Sequence, residues 1–363
     1  MAGCEAEIDL AAIAHNVATL GRLRSAAVMA VVKADGYGHG LVPSARAALA
    51  GGAAWLGVAF VDEALELRAA GIDVPVLCWL LTPGEDLTRA VAAGVDLSVS
   101  ARWALDEVVT ASRRCGRSAR VHLQVDTGCG RAGATAAEWP DLLLAAAKLA
   151  GDEIDVVGVW SHLANADLPG QPRGARQLTA CETALDVAAA HGVRPEVRHL
   201  ANSAAVLSTP AATYDLIRPG ISVFGVNPLP VAAPVELAPA MTLRARVALS
   251  RRVPAGTGVS YGHDYLTARE TTLALVAAGY ADGVPRMSGN RGQVLIGGRR
   301  RRISGRICMD QFVVDVTDDP VRAGDEVLLF GPGHAGEPTV AEWAEAAGTI
   351  PNEVLTRIGP RVR

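Results

Sequence analysis

From the N-terminus to about residue 230, short apolar runs alternate with alanine-rich stretches of helical character. The runs are 28–33 (VMAVVK), 56–61 (LGVAFV), 75–81 (PVLCWLL), 96–100 (DLSVS), 120–126 (RVHLQVD), 155–162 (DVVGVWSH), 197–202 (VRHLAN) and 216–224 (LIRPGISVF). Each is a short apolar run of a length suited to a buried strand. Segments 61–70, 84–93, 101–115, 137–151 and 174–191 between them read as helices. Apolar strands separated by helices pair in parallel through right-handed crossovers. Eight such units predict an α/β protein whose N-terminal part is a closed (β/α)8 barrel.

After Pro228, Pro230, Pro234 and Pro239 the period changes. Alternating short strands are predicted at 241–250, 271–279, 292–297, 303–316 and 325–330, with helix-like segments at 339–347 and 352–358. A proline-rich stretch followed by a change of period marks a domain boundary. The expected organisation is a barrel over 1–232 and a mainly antiparallel β domain over 233–363.

Composition narrows the function. Half of the 363 residues are hydrophobic and the net charge is −4, so no basic field invites nucleic acid. The opening Met-Ala-Gly-Cys-Glu-Ala-Glu has no basic start, and no uncharged apolar run approaches the roughly 18–20 residues of a membrane span. A cytoplasmic protein without a membrane partner is expected. The six cysteines are scattered and form no C-x-x-C pair, so reduced thiols are expected, and no metal site is read.

The cation count points to chemistry. Only two of the 34 basic residues are lysines, Lys33 and Lys148. Barrel enzymes place reactive groups at the C-terminal ends of strands, and Lys33 ends the first run. A partly desolvated amine with a lowered pKa is a nucleophile, a role arginine cannot fill; the alternative is a lysine snorkelling to the rim. Other strand ends offer Asp126 to Arg131, Ser161-His162, His199 to Ser203, and Arg218 to Ile221. Taken singly, His162 also fits a satisfied core histidine and Arg218 a surface ion pair. Ser203 with Gly220-Ile221 occupies the place where many barrels bind phosphate.

The blocks AVVKADGYGHG, DTGCGRAG, WSHLANAD, ANSAA, IRPGIS, GVSYG, GYADG and CMDQF occur in this order across about residues 8–358. The chain thereby resembles the alanine racemase family of pyridoxal-phosphate enzymes. The resemblance implies that Lys33 carries pyridoxal 5'-phosphate covalently, and that Tyr37, Ser203 and the backbone of Gly220 and Ile221 hold its phosphate. It places Arg218 beside the pyridine nitrogen, with His162 in the same pocket, and Arg131 near the cofactor's phenolic oxygen on the substrate side. It makes Tyr261 a second catalytic base, delivered across a homodimer interface into the partner's barrel. Tyr280 and Met309 would line that composite site, with Asp310 nearby and Asn352 by the substrate's side chain.

The implied activity is interconversion of L- and D-alanine by two bases, Lys33 and Tyr261, on opposite faces of Cα. A phenol with a pKa near ~10 requires cationic neighbours to act as a base at neutral pH, and His162 and Arg218 are the candidates. A racemase of serine or another small amino acid, a decarboxylase of similar architecture and a cofactor carrier are the alternatives. Against the last two stand Tyr261 and the residues after Pro230. Two departures are visible. Gln124 occupies the place of a family lysine, often carbamylated, and Asn352 that of a family tyrosine.

Overall fold

The computed structural model describes residues 3–168 and 171–362, which fall into two compact units. One comprises Met1–Leu10, Tyr37–His39 and Ala238–Arg363, the other Ala11–Gly36 and Gly40–Leu237. The first strand, β1 (Cys4–Ile8), pairs antiparallel with the long strand Met241–Val253, Cys4 facing Ala245 and Ile8 facing Met241. The opening residues thus lie with the C-terminal unit, a grouping that a division at 232/233 does not foresee. The run CEAEI alternates but carries two glutamates and a small alanine, too weak a pattern to read as a strand.

The second unit is the barrel. Its strands are β2 (Ala27–Val31), β3 (Trp55–Val58), β4 (Val76–Cys78), β5 (Asp96–Val99), β6 (Ala119–Gln124), β7 (Ile154–Trp160), β8 (Val197–His199) and β9 (Leu216–Ile217). They form one parallel sheet in the order β8-β7-β6-β5-β4-β3-β2-β9. Closure comes from the β2–β9 pair and from a parallel bridge between Asn202 and Arg218, with the Arg218 amide donating to the Ala201 carbonyl at 2.8 Å. All eight apolar runs are therefore barrel strands. The outer helices follow the alternation of the sequence. Arg102–Cys115 buries Leu105, Val108, Val109 and Ser112 on one face and ends at Gly116 in the left-handed region (φ 63°). The Trp139 indole at the head of Trp139–Leu149 donates to the Ala184 carbonyl of Pro172–Ala190 at 2.9 Å.

In the C-terminal unit the strands continue as β10 (Met241–Val253), β11 (Gly258–Val259), β12 (Tyr265–Leu266), β13 (Thr271–Val276), β14 (Gln293–Ile296), β15 (Arg299–Arg302), β16 (Phe312–Thr317) and β17 (Glu326–Phe330). The main sheet is antiparallel in the order β15-β14-β17-β10-β13-β16. Register shifts at Leu243/Arg244 and Val247/Leu249 let the long β10 pair β1 and β17 along its first half and β13 along its second. The predicted strand 303–316 is shorter than expected: Ile303 keeps only an isolated antiparallel bridge to Val314, and the continuous strand begins at Phe312. Four consecutive arginines form the edge strand β15, which no hydrophobic pattern announces. Arg300 pairs with Glu342 and Arg301 with Asp319, and the charged edge discourages further strand addition.

Candidate active site

Lys33 leaves β2 and opens the short helical segment Lys33–Gly38. This turn is left-handed: Ala34, Asp35, Gly36, Tyr37 and Gly38 have φ of 53°, 52°, 60°, 54° and 82°. Glycine adopts that conformation freely, whereas each L-residue in it costs roughly 1–2 kcal/mol. The cost is offset by fixed partners. The Glu63 carboxylate accepts the amides of Ala34 (2.6 Å), Ala59 (2.8 Å) and Phe60 (3.1 Å), and Asp35 Oδ1 accepts the Leu41 amide at 2.7 Å. Strain held by its surroundings is a mark of functional sites. Lys33 Nζ stands 5.8 Å from the Trp79 ring centroid, and burial, then the charge of Arg131, lowers its pKa. Tyr37, four residues on, is buried, and burial drives its phenol pKa upward.

Arg218 follows β9 and is buried inside the barrel. Its Nη2 donates to the carbonyls of Ser161 (2.8 Å) and Leu200 (3.2 Å), its Nη1 meets His199 Nδ1 at 3.1 Å, and its guanidinium lies 4.7 Å above the Trp160 ring. Among the described residues none of these bonds uses Nε. Burial lowers the Arg218 pKa to about 9, which leaves it charged at neutral pH. His162, at the end of β7, feels burial first and then Arg218, Arg131 and Lys33, which together push it down to about 3. It is therefore neutral, which corrects its expected part as a cation and leaves that part to Arg218.

The loop after β6 is shaped by Asp126, whose carboxylate accepts the amides of Gly128 (2.9 Å), Cys129 (2.8 Å) and Gly130 (3.0 Å). Gly133 is required there, since at φ 109° its Cβ would sit 2.5 Å from the Asp126 nitrogen. The loop presents an exposed Arg131 within electrostatic reach of Lys33 and His162. Gln124 is buried, and among the described residues no hydrogen bond joins it to Arg131. After β8, Asn202 caps the helix Ser203–Ser208. The amides of Gly220 (2.8 Å) and Ser222 (3.3 Å) converge on Ser203 Oγ, with Ile221 buried between them.

The remaining candidates belong to the C-terminal unit. Tyr261 sits at the tip of the β11–β12 hairpin and is 71% exposed. Its neighbours are tightly held: Ser260 (φ 62°) donates from Oγ to the Arg306 carbonyl at 2.6 Å, and Arg306 pairs with Asp264 at 2.5 Å. Tyr280 and Met309, 42% and 52% exposed, are brought together because the Tyr280 and Ala281 amides donate to the Cys308 and Met309 carbonyls. Asp310 pairs with Arg361 at 2.7 Å. Asn352 is half-buried in the helix Pro351–Thr356.

The donor set in the barrel fits a phosphorylated pyridoxal cofactor. An amine with a lowered pKa can bond a carbonyl carbon, backbone donors converge beside Ser203, and the Arg218 Nε is left for an acceptor. Among the described residues no cluster of histidine, cysteine, aspartate or glutamate suits a metal ion. Sequence reading passed over Glu63, His122 and Asp96. His122 is a polar residue inside the apolar run RVHLQVD and Asp96 opens the run DLSVS, so both lay within runs already read as buried strands.

The chain is similar to known proteins along its whole length. Residues 8–228 match the family model of the alanine racemase N-terminal domain, and residues 240–363 that of the C-terminal domain. The alanine racemase of Frankia casuarinae is 60% identical over 362 residues, covering 98% of this chain and 94% of that protein. The alanine racemase structure from D-cycloserine-producing Streptomyces lavendulae matches at 53% identity and TM-score 0.98, covering 100% of this chain and 96% of that one. The Bartonella henselae alanine racemase structure, with covalently bound pyridoxal phosphate, matches at 30% identity and TM-score 0.90, covering 100% and 99%.

Proposed function

Because this chain belongs to the alanine racemase family, we propose that it interconverts L- and D-alanine with pyridoxal 5'-phosphate, held by the barrel residues described above. The observation that carries the reading is Lys33, whose ammonium form burial and Arg131 disfavour at the C-terminal end of the first barrel strand. When bound, the cofactor delocalises the electron pair left at the substrate's Cα. Lys33 Nζ, whose pKa burial and Arg131 lower, accepts or returns the Cα proton on one face. Tyr261 Oη serves the other face, supplied by a second copy of the chain. Its 71% exposure at the tip of a restrained hairpin suits delivery into a partner, beside the exposed Tyr280 and Met309.

Arg218 supplies a fixed positive charge. A guanidinium charged at neutral pH beside the pyridine nitrogen disfavours its protonation, weakens the electron sink and limits side reactions. Neutral His162 is a hydrogen-bonding partner in this scheme. Tyr37 and Ser203, with the backbone of Gly220 and Ile221, hold the phosphate, and Arg131 faces the substrate. Asp310 lies near the partner-derived wall, and Asn352 lies by the substrate's side chain. Among the described residues no helix is long and apolar enough to cross a membrane; the proposed location is the cytoplasm. The test is direct: purified protein given pyridoxal phosphate and L-alanine yields D-alanine, and Lys33→Ala abolishes the conversion. Carbon dioxide release without D-alanine would refute the reading.

A further inference from the structure

Asp96, the first residue of β5, is fully buried, and its Oδ1 takes a 2.6 Å bond from Arg120 Nε. Its Oδ2 faces His122 Nε2 at 3.4 Å, a long contact to a ring nitrogen that has no closer partner among the described residues. His122 Nδ1 meets His199 Nε2 at 2.8 Å, and His199 Nδ1 meets Arg218 Nη1 at 3.1 Å. The four side chains form a line through the barrel interior, from the N-terminal end of β5 to the mouth beyond β9.

The direction of the two hydrogen bonds in this line follows from the Arg218 end. A guanidinium can only donate, so His199 Nδ1 accepts. Neutral His199 then carries its proton on Nε2 and donates it to His122 Nδ1. That leaves the His122 proton on Nε2, on the side of the 3.4 Å contact to the Asp96 carboxylate. Burial lowers the pKa of both imidazoles, in keeping with their neutrality. The fold also makes room for the line. Gly158 of β7 lies opposite His122 in register, and a Cβ there would come within 2.2 Å of His122 Nδ1. Trp160 stacks on His199 with ring centroids 5.6 Å apart, and Trp55 meets His122 edge-on at 5.3 Å.

We propose that Asp96 and His122 are positioning residues for Arg218, acting through His199 as a polarised chain that orients the guanidinium and compensates its charge from the far end of the barrel. This rests on the reading of Arg218 as the cation beside the cofactor's ring nitrogen. Neither Asp96 nor His122 is assigned contact with substrate. Their effect is on the stiffness and charge of Arg218, and so on how selectively the cofactor racemises.

The experiment compares His122→Leu, which cuts the chain, with His122→Gln, whose amide offers one acceptor and one donor as the imidazole does. Each full-length protein is loaded with pyridoxal phosphate. By analogy with the outer partners of metal ligands, His122→Leu should lower kcat for alanine by about tenfold or more. Its KM should stay near wild type, and the ratio of transamination to racemisation should rise. His122→Gln should restore most of both quantities. A His122→Leu enzyme that is folded and unchanged in kcat and in that ratio overturns the proposal. An equal defect in His122→Gln and His122→Leu also overturns it. Nitrogen NMR of isotope-labelled histidine in the wild-type protein keeps the test open should His122→Leu not fold. His122 and His199 must both be neutral with the proton on Nε2, and the opposite tautomer at either ring refutes the chain. Absence of alanine racemisation by the wild type would overturn the functional reading, while the NMR result would still decide the chain's polarity.

Discussion

Gly158→Ala tests the barrel interior with the smallest change available. The added methyl would stand 2.2 Å from His122 Nδ1, 2.7 Å from Cε1 and 2.8 Å from Cγ, so the imidazole must move. Overpacking of this kind costs about 1–3 kcal/mol. Moving the ring also breaks the 2.8 Å bond to His199 and leaves a buried donor without an acceptor, a further ~1–3 kcal/mol. A total of about 2–6 kcal/mol corresponds to a fall in melting temperature of at least roughly 4 °C for a unit of this size. Gly174→Ala is the matched control. Gly174 lies in the helix Pro172–Ala190, and a Cβ there would meet nothing within 4 Å. That change should stabilise by roughly 0.5–1 kcal/mol, since alanine loses less backbone freedom in a helix than glycine. Thermal unfolding by circular dichroism without added cofactor reads both. A Gly158→Ala midpoint within about 2 °C of wild type would show that the ring is not confined as described, and the reasoning would fail.

Four further outcomes are expected. Borohydride reduction of the cofactor-loaded protein followed by peptide mapping should find the pyridoxyl group on Lys33; label on Lys148 would contradict the site. Mixing inactive Lys33→Ala and Tyr261→Phe chains should regenerate activity, because one heterodimer site is then intact, and no recovery despite measured subunit exchange would argue for sites built within one chain. His162 titrates near 6.5 when unfolded and near 3 when folded, so between these values the unfolded state binds more protons and stability falls on acidification. His162→Gln should flatten that slope by up to ~1.4 kcal/mol per pH unit in urea titrations; an unchanged slope would show that His162 is protonated in the folded state. If Asn352 leaves room and an amide for a hydroxyl, Asn352→Tyr should lower the serine-to-alanine ratio of kcat/KM, and a steady ratio would remove Asn352 from specificity.

The eight apolar runs were legible as strands because strand periodicity and length are properties of contiguous residues, and all eight close the barrel. The same holds for Lys33, His162, Ser203 and Arg218, which stand within four residues after strand ends, where a barrel exposes its reactive groups. ADGYG already contains the glycines that a left-handed turn tolerates. Tertiary structure decided the rest. Arg299–Arg302 became a strand by pairing with β14, and Cys4–Ile8 by pairing with β10, since partner strands can supply the hydrogen bonds that no local pattern announces. The protonation of His162 depends on Arg218, Arg131 and Lys33, charges from three distant stretches of chain, and on burial that no motif encodes. Asp96, His122, His199 and Arg218 lie up to 122 positions apart in sequence. Only closure of the sheet, with the space Gly158 leaves, turns four separate polar residues into one line, because hydrogen bonding at about 3 Å is set by position in space and not along the chain.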